Sequence, residues 1–270
     1  MGEDVVIDGR ASRIISFYAG HTENLMAIGA KDSIIAIGHE PGDIGLSVPV
    51  LGAKPGIEQI LAQNPDVVLT RPMMARSQKP LYDALKSFGV RVLAFDPPEW
   101  DGLPKYVMTL WSIAGTGEMP ENFVSEAMAA SGGAYQERAM GVFLVTNGRT
   151  MATCTEGSWA AHIMRLAGFR NAAAGAVPLA SGSVVAGFGV ERLLASDGEI
   201  DAILLQQGAM NTTTAADFMS DPRFAALRAV REGMVFDVAE ADISRPSLLR
   251  LENGVVRSLH EMVYSRRAGR

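Results

Sequence analysis

Short apolar runs alternate with helical spacings along the first hundred residues of the chain. Arg13-Ile14-Ile15-Ser16-Phe17 reads as a strand, and Thr22 to Ile28 as a helix stopped by Gly29. Ser33 to Ile37 is a second strand. Gly56 to Gln63 is a short helix with Ile57, Ile60 and Leu61 on one face. Val67-Val68-Leu69 predicts a strand, Leu81 to Phe88 a helix, and Val90 to Phe95 another strand. Strands alternating with helices predict an α/β fold, built of βα units around a mainly parallel sheet.

Asp96-Pro97-Pro98 interrupts this rhythm. A mostly helical stretch follows from about Leu103 to Arg138, with breaks expected at Gly115, Gly117 and Gly132-Gly133. The βα pattern restarts with Val142-Phe143-Leu144-Val145. The layout predicts an N-terminal lobe over 10–100, a bridging helical segment over 101–139 and a C-terminal lobe over 140–265. A single doubly wound domain with a helical insertion has the same periodicity. An internal echo favours two lobes. Gly56-Ile57-Glu58-Gln59-Ile60-Leu61-Ala62 precedes Pro65-Asp66-Val67-Val68-Leu69, and Gly189-Val190-Glu191-Arg192-Leu193-Leu194-Ala195 precedes Ile200-Asp201-Ala202-Ile203-Leu204. Each copy is a glycine, a short helix with a glutamate in its first turn, an aspartate and a buried strand, as related half-molecules would carry.

Composition narrows the class. The 270 residues are 48% hydrophobic and 20% charged, which predicts a folded, soluble chain. Apolar runs such as Ser33 to Gly38 fall far short of the roughly 18–20 residues that span a bilayer. A net charge of −6 gives no electrostatic reason to bind nucleic acid. The basic run Arg266-Arg267-Ala268-Gly269-Arg270 reads as a solvated tail. One cysteine, Cys154, excludes an internal disulfide and a multi-cysteine metal site. Met1-Gly2-Glu3-Asp4 has no cationic, apolar leader, so the expectation is a cytosolic protein or an exported domain without its leader.

In their order and spacing these segments resemble the periplasmic binding proteins of the iron-siderophore, cobalamin and haem ABC importers. The resemblance rests on Arg13-Ile14-Ile15-Ser16, Thr22-Glu23-Asn24-Leu25 and Ile28-Gly29-Ala30. It extends through the Ile57 to Val68 block, Leu85 to Val92, Gly168 to Asn171 and Arg245-Pro246-Ser247, and runs from about Arg10 to Val263. It implies two Rossmann-like lobes joined by a long bridging helix, with a ligand cleft between them. It further implies a monomer that captures a metal chelate and delivers it to a dimeric membrane permease, with no intrinsic cofactor. The implied location is periplasmic or lipid-anchored and extracytoplasmic. The resemblance assigns Glu58 and Glu191 to permease docking, where each carboxylate would meet an arginine. A helix-start glutamate that only favours the macrodipole is the plainer reading of each.

The loops after the strands would then line the cleft. Tyr18 and His21, in Phe17-Tyr18-Ala19-Gly20-His21, replace the serine- and proline-containing turn common in such proteins. They are candidates to ligate a metal or to hydrogen-bond an anionic chelate. Packing at a strand end, for Tyr18, and an exposed place near the helix cap, for His21, are the structural alternatives. His39, in Gly38-His39-Glu40-Pro41-Gly42-Asp43, is a further ligand-binding candidate or a solvated turn residue. Lys54, Arg71 and Arg76 lie in or near other loops, where a cation would suit a carboxylate- or hydroxamate-bearing ligand or an oxyanion, or would simply be solvated. Trp100 and Trp159 offer flat faces to a macrocycle or catecholate, or belong to the core. Gln207, in Gln206-Gln207-Gly208-Ala209-Met210-Asn211, would supply polar contacts from the second lobe.

No nucleophile elbow, phosphate loop, dinucleotide fingerprint or H-E-x-x-H pair occurs, and a binding protein rather than an enzyme is expected. Two alternatives stand beside it: a molybdate-type oxyanion binder of the same fold, and a chelatase-like enzyme using His21, Glu23 and His39.

Overall fold

The computed structural model describes residues 9–39, 45–52, 54–115, 117–132, 135 and 140–268. The opening Met1 to Asp4, residues 40–43 of the His39 loop, Gly133, Arg138 and the terminal Gly269-Arg270 lie outside them. Two compact units emerge: residues 1–126 with 247–249, and residues 127–246 with 250–270.

The first unit holds a parallel sheet of five strands, in the order β3-β2-β1-β4-β5. These are β1 (Ile14–Ser16), β2 (Ile34–Gly38), β3 (Val50–Leu51), β4 (Val67–Thr70) and β5 (Arg91–Ala94). Every residue of β1 and β4 is buried. That is the condition of a central parallel strand covered on both faces, and it explains the unbroken apolar runs seen in the sequence. β1 pairs in register with β4 through Ile14–Val67, Ile15–Val68 and Ser16–Leu69. Helices α1 (Ala19–Ala27), α2 (Ile57–Leu61), α3 (Pro72–Ser77) and α4 (Lys79–Ser87) connect the strands. α4 turns Tyr82 and Leu85 inward, against Ile15, Ile60, Val68 and Val92. Its exposed face carries a Lys79–Asp83 ion pair one turn apart.

α1 begins three residues earlier than the apolar pattern predicts, and Ala19 to Leu25 are all buried. Its polar members are covered too. Asn24 donates to Gly20 O at 2.7 Å and accepts the Leu248 backbone N–H at 2.8 Å, which fastens 247–249 onto this unit.

Among the described residues, the helical stretch after Pro98 carries two helices, α5 (Leu103–Ala114) and α6 (Phe123–Gly132), with the break falling at Gly115, one of the glycines where the sequence predicted it. The interruption has a local cause. Gly115 leaves helical dihedrals for φ −64°, ψ 152°, and Pro120 brings no N–H to a continued ladder.

The second unit holds a parallel sheet of four strands, in the order β12-β11-β6-β8, and a small antiparallel sheet, β7-β10-β9. The strands are β6 (Met140–Val145), β7 (Ala152–Cys154), β8 (Phe169–Asn171), β9 (Val177–Pro178), β10 (Val185–Gly187), β11 (Ala202–Gln207) and β12 (Val235–Ala239). Around them run α7 (Trp159–Leu166), α8 (Val190–Ala195), α9 (Ala215–Ser220), α10 (Arg228–Arg231), α11 (Glu240–Ile243) and α13 (Val255–Ala268), while α12 (Leu248–Glu252) has its first two residues in the first unit. β6 is buried along its whole length and pairs with both β11 and β8.

Candidate functional site

In an open parallel sheet, a crevice forms where the strand order reverses, because the connections leave toward opposite faces there. The first unit reverses between β1 and β4, and the second between β6 and β11. The loops at the carboxyl ends of these strands therefore border each crevice.

At the first reversal, Tyr18 follows β1 and Arg71 follows β4. The Arg71 guanidinium carbon lies 5.2 Å from the centre of the Tyr18 ring, and its Nε bonds Asp96 Oδ1 at 3.0 Å. Asp96 closes the trio from the end of β5. The Tyr18 ring folds back over the start of α1, where Gly20 leaves room for it. A β-carbon on Gly20 would stand 2.3 Å from the ring. A phenol, a guanidinium and a carboxylate thus share one partly exposed rim.

His21 stands behind that rim, not on it. It is fully buried, and the structure corrects the expectation that it meets ligand or solvent. Its Nε2 lies 3.3 Å from Thr70 O, which can only accept, so Nε2 carries the proton. Nδ1 then accepts from Tyr106 Oη at 2.6 Å. Burial lowers the His21 pKa to about 4, so the ring is neutral near pH 7. Burial also raises Tyr106 well above its ordinary range and keeps its hydroxyl a donor. Tyr18, Phe95 and Tyr106 pack around the imidazole, with ring centres 5.0, 4.5 and 5.8 Å away. His21 therefore buttresses Tyr18 and cannot ligate a metal from this position.

The other first-unit candidates are dispersed. His39 and Lys54 are exposed after β2 and β3, on the far side of β1 from Arg71. Arg76 is exposed in the last turn of α3. Trp100 is half-buried on a short turn ahead of α5. Glu58 is exposed at the second position of α2.

At the second reversal, a cavity of about 200 Å³ is lined by Asn147, Arg149, Ala209, Met210, Asn211, Thr212 and Thr213. Its walls are held by two asparagines. Asn147 Oδ1 accepts the N–H groups of Arg149 and Thr150, and its Nδ2 donates to Met210 O. Asn211 Oδ1 accepts the N–H groups of Gly148 and Thr213, and its Nδ2 donates to Gln206 O at 2.9 Å. Met151 takes φ +49°, costly for a side-chain-bearing residue. It is held there because its carbonyl accepts the N–H groups of Phe188 and Gly189.

Gln207 sits beside this cavity, but its amide nitrogen is committed inside the unit, donating to Thr213 O at 2.8 Å and Asp237 Oδ1 at 2.9 Å. It shapes the wall instead of supplying a free contact. Trp159 is also corrected: at 3% exposure it is a core side chain opening α7 and presents no face. Glu191 is exposed at the second position of α8. Asp96 and Tyr106 in the first unit, and Asn147 and Arg149 in the second, were not singled out from the sequence. The cation in Thr146-Asn147-Gly148-Arg149, directly after an apolar strand, was the available signal for the last two.

Among the described residues, no group of three or more His, Cys, Asp or Glu is placed to hold a metal ion. Nor is any helix long and apolar enough to cross a membrane.

Two open parallel sheets, each with loops gathered at a strand reversal, define an α/β protein of two doubly wound units. A sequence model described as periplasmic binding protein matches residues 14–241, and the chain belongs to that family. No match is found among curated proteins. Solved structures share the fold. The periplasmic heme binding protein HutB of Vibrio cholerae is 18% identical with a TM-score of 0.68, covering 93% of this chain and 98% of its own. An ABC-type Fe3+-hydroxamate transport system from Saccharomonospora viridis is 21% identical with a TM-score of 0.62, covering 97% and 96%. The vitamin B12 binding protein BtuF of Vibrio cholerae is 18% identical with a TM-score of 0.60, covering 95% and 98%.

Proposed function

We propose that this chain captures a metal chelate of the ferric-siderophore, cobalamin or haem class and hands it to the permease of an ABC importer. It works as a monomer outside the cytoplasmic membrane, holds no cofactor of its own and performs no chemistry on its cargo. The observation that carries this reading is the Tyr18–Arg71 contact at the strand reversal of a chain in this family. An aromatic face backed by a cation suits a flat or oxygen-rich chelate. The similar solved proteins named for heme, hydroxamate and vitamin B12 support the same cargo class.

In this reading Tyr18 and Arg71 touch the cargo, with His21 and Tyr106 fixing the phenol from behind. Lys54, His39 and Trp100 are peripheral contacts. Glu58 and Glu191 dock the permease.

A thermal-shift panel of ferric siderophores, cobalamin, haem, free metal ions and molybdate tests the proposal. A chelate should raise the melting temperature with concentration, because it binds only the folded state. A response to molybdate alone would replace the cargo with an oxyanion, and turnover of any chelate would refute a pure binding role.

A further inference from the structure

We infer that the cavity at the second unit's strand reversal anchors a carboxylate arm of the cargo, and that the chelate is therefore carboxylate-bearing. This rests on the chelate reading above and adds the chemistry of the ligand.

Arg149 is exposed at the cavity, and among the described residues its guanidinium has no ion-pair partner. The lining contains no aspartate or glutamate. The arginines at the first reversal and around the other cavity each face a carboxylate. Arg71 is paired with Asp96 at 3.0 Å. In a second cavity, beside β8, Arg165 is paired with Glu156 at 2.9 Å, and Arg170 lies 3.6 Å from Glu199. Among the described residues, Arg149 is thus a cation in a polar recess without an ion-paired counter-charge.

The walls of the recess are rigid. The two asparagines are spent on backbone groups, so they shape the recess and leave recognition to Arg149, the exposed Thr212 hydroxyl and Met210. Met210 is 56% exposed and offers an apolar face to a hydrocarbon linker. Gly148 lets the two loops close on each other, since a β-carbon there would stand 2.5 Å from Thr213 Oγ1. A guanidinium fork and a hydroxyl match the two oxygens of a carboxylate. A recess of about 200 Å³ is below the range of sites that enclose a whole ligand, so it takes an arm of one.

The test is calorimetric titration of four chelates into the wild type, Arg149→Gln and Arg149→Lys. Ferric citrate and iron protoporphyrin carry carboxylates; ferric desferrioxamine B and cobalamin do not. The tightest binder should be one of the first two, Arg149→Gln should weaken it about tenfold or more, and Arg149→Lys should lose less. Tightest binding of a carboxylate-free chelate would overturn the inference and leave the chelate reading standing. So would a change of less than about twofold in Arg149→Gln. Binding of none of the four would overturn both.

Discussion

Asp66 and Asp201 hold the same place in the two units. Asp66 precedes β4; its backbone N–H donates to Arg13 O at 2.8 Å, and its Oδ2 accepts the N–H groups of Ser12 and Arg13 at 2.8 and 3.0 Å. Asp201 precedes β11; its N–H donates to Gly141 O at 2.7 Å, and its Oδ2 accepts the Gly141 N–H at 2.7 Å. Each aspartate therefore sets the register between the two strands that flank its unit's reversal. The echo in the sequence is a repeated clamp.

Removing either carboxylate should be felt in stability. Charge-assisted bonds to backbone N–H groups are each worth about 1.5–3 kcal/mol, and the donors would lose their partners. Asp66→Ala and Asp201→Ala should each lower unfolding free energy by about 2 kcal/mol in urea. For Asp66, burial pushes the carboxyl up, but the Ser12 and Arg13 donors outweigh it and hold the pKa below its usual value. Its contribution is present above the unfolded pKa and is lost as pH falls through the lower folded one.

Acid should also act earlier, through His21. Its folded pKa of about 4 lies below the unfolded value of 6.5, chiefly because of burial. Between those values the unfolded chain takes up a proton that the folded chain refuses, so stability falls as pH drops through that window. The loss should approach about 3 kcal/mol by pH 4. His21→Gln keeps an amide for Tyr106 and Thr70 but does not titrate, so its stability should be flatter there. Urea unfolding of both proteins across that window measures the difference; parallel curves would remove His21 as the cause.

Much of this architecture was legible because the buried strands are short apolar runs bounded by turn residues. Val67-Val68-Leu69 and Val142 to Val145 lie inside β4 and β6. The site was less legible. Burial of α1 brings His21, Glu23 and Asn24 under cover, whereas a polar sequence at a helix start reads as exposed. The Arg71–Asp96 pair joins loops 25 residues apart, and His21 meets Tyr106 across 85. Such contacts depend on strand order, which periodicity does not encode. Trp159 misled for the opposite reason: it follows a glycine turn but begins a helix that faces the core.

Cys154 should be silent to thiol reagents. It is 2% exposed, and burial pushes its thiol up to about 12, so almost no thiolate forms at pH 8. Native protein should not react with iodoacetamide over a time that fully labels unfolded chains. Mass spectrometry before and after addition of urea would show it. Labelling of the folded protein would mean that β7 opens readily, since Cys154 ends that strand.

The docking assignment of Glu58 and Glu191 makes the sharpest separation between capture and delivery. Each glutamate is exposed at the second position of a short helix, ahead of the aspartate-clamped strand of its unit. Neither lies in a strand-reversal loop, so truncation should leave cargo contacts alone. Exposed first-turn carboxylates contribute at most about 1 kcal/mol through the helix dipole, so folding should survive as well. Glu58→Ala with Glu191→Ala should therefore bind cargo as tightly as the wild type, yet support slower uptake through the cognate permease reconstituted in vesicles. Charge reversal of both to lysine should slow it further, because like charges would meet at each contact. Transport at the wild-type rate in the lysine pair would show that these glutamates only start their helices.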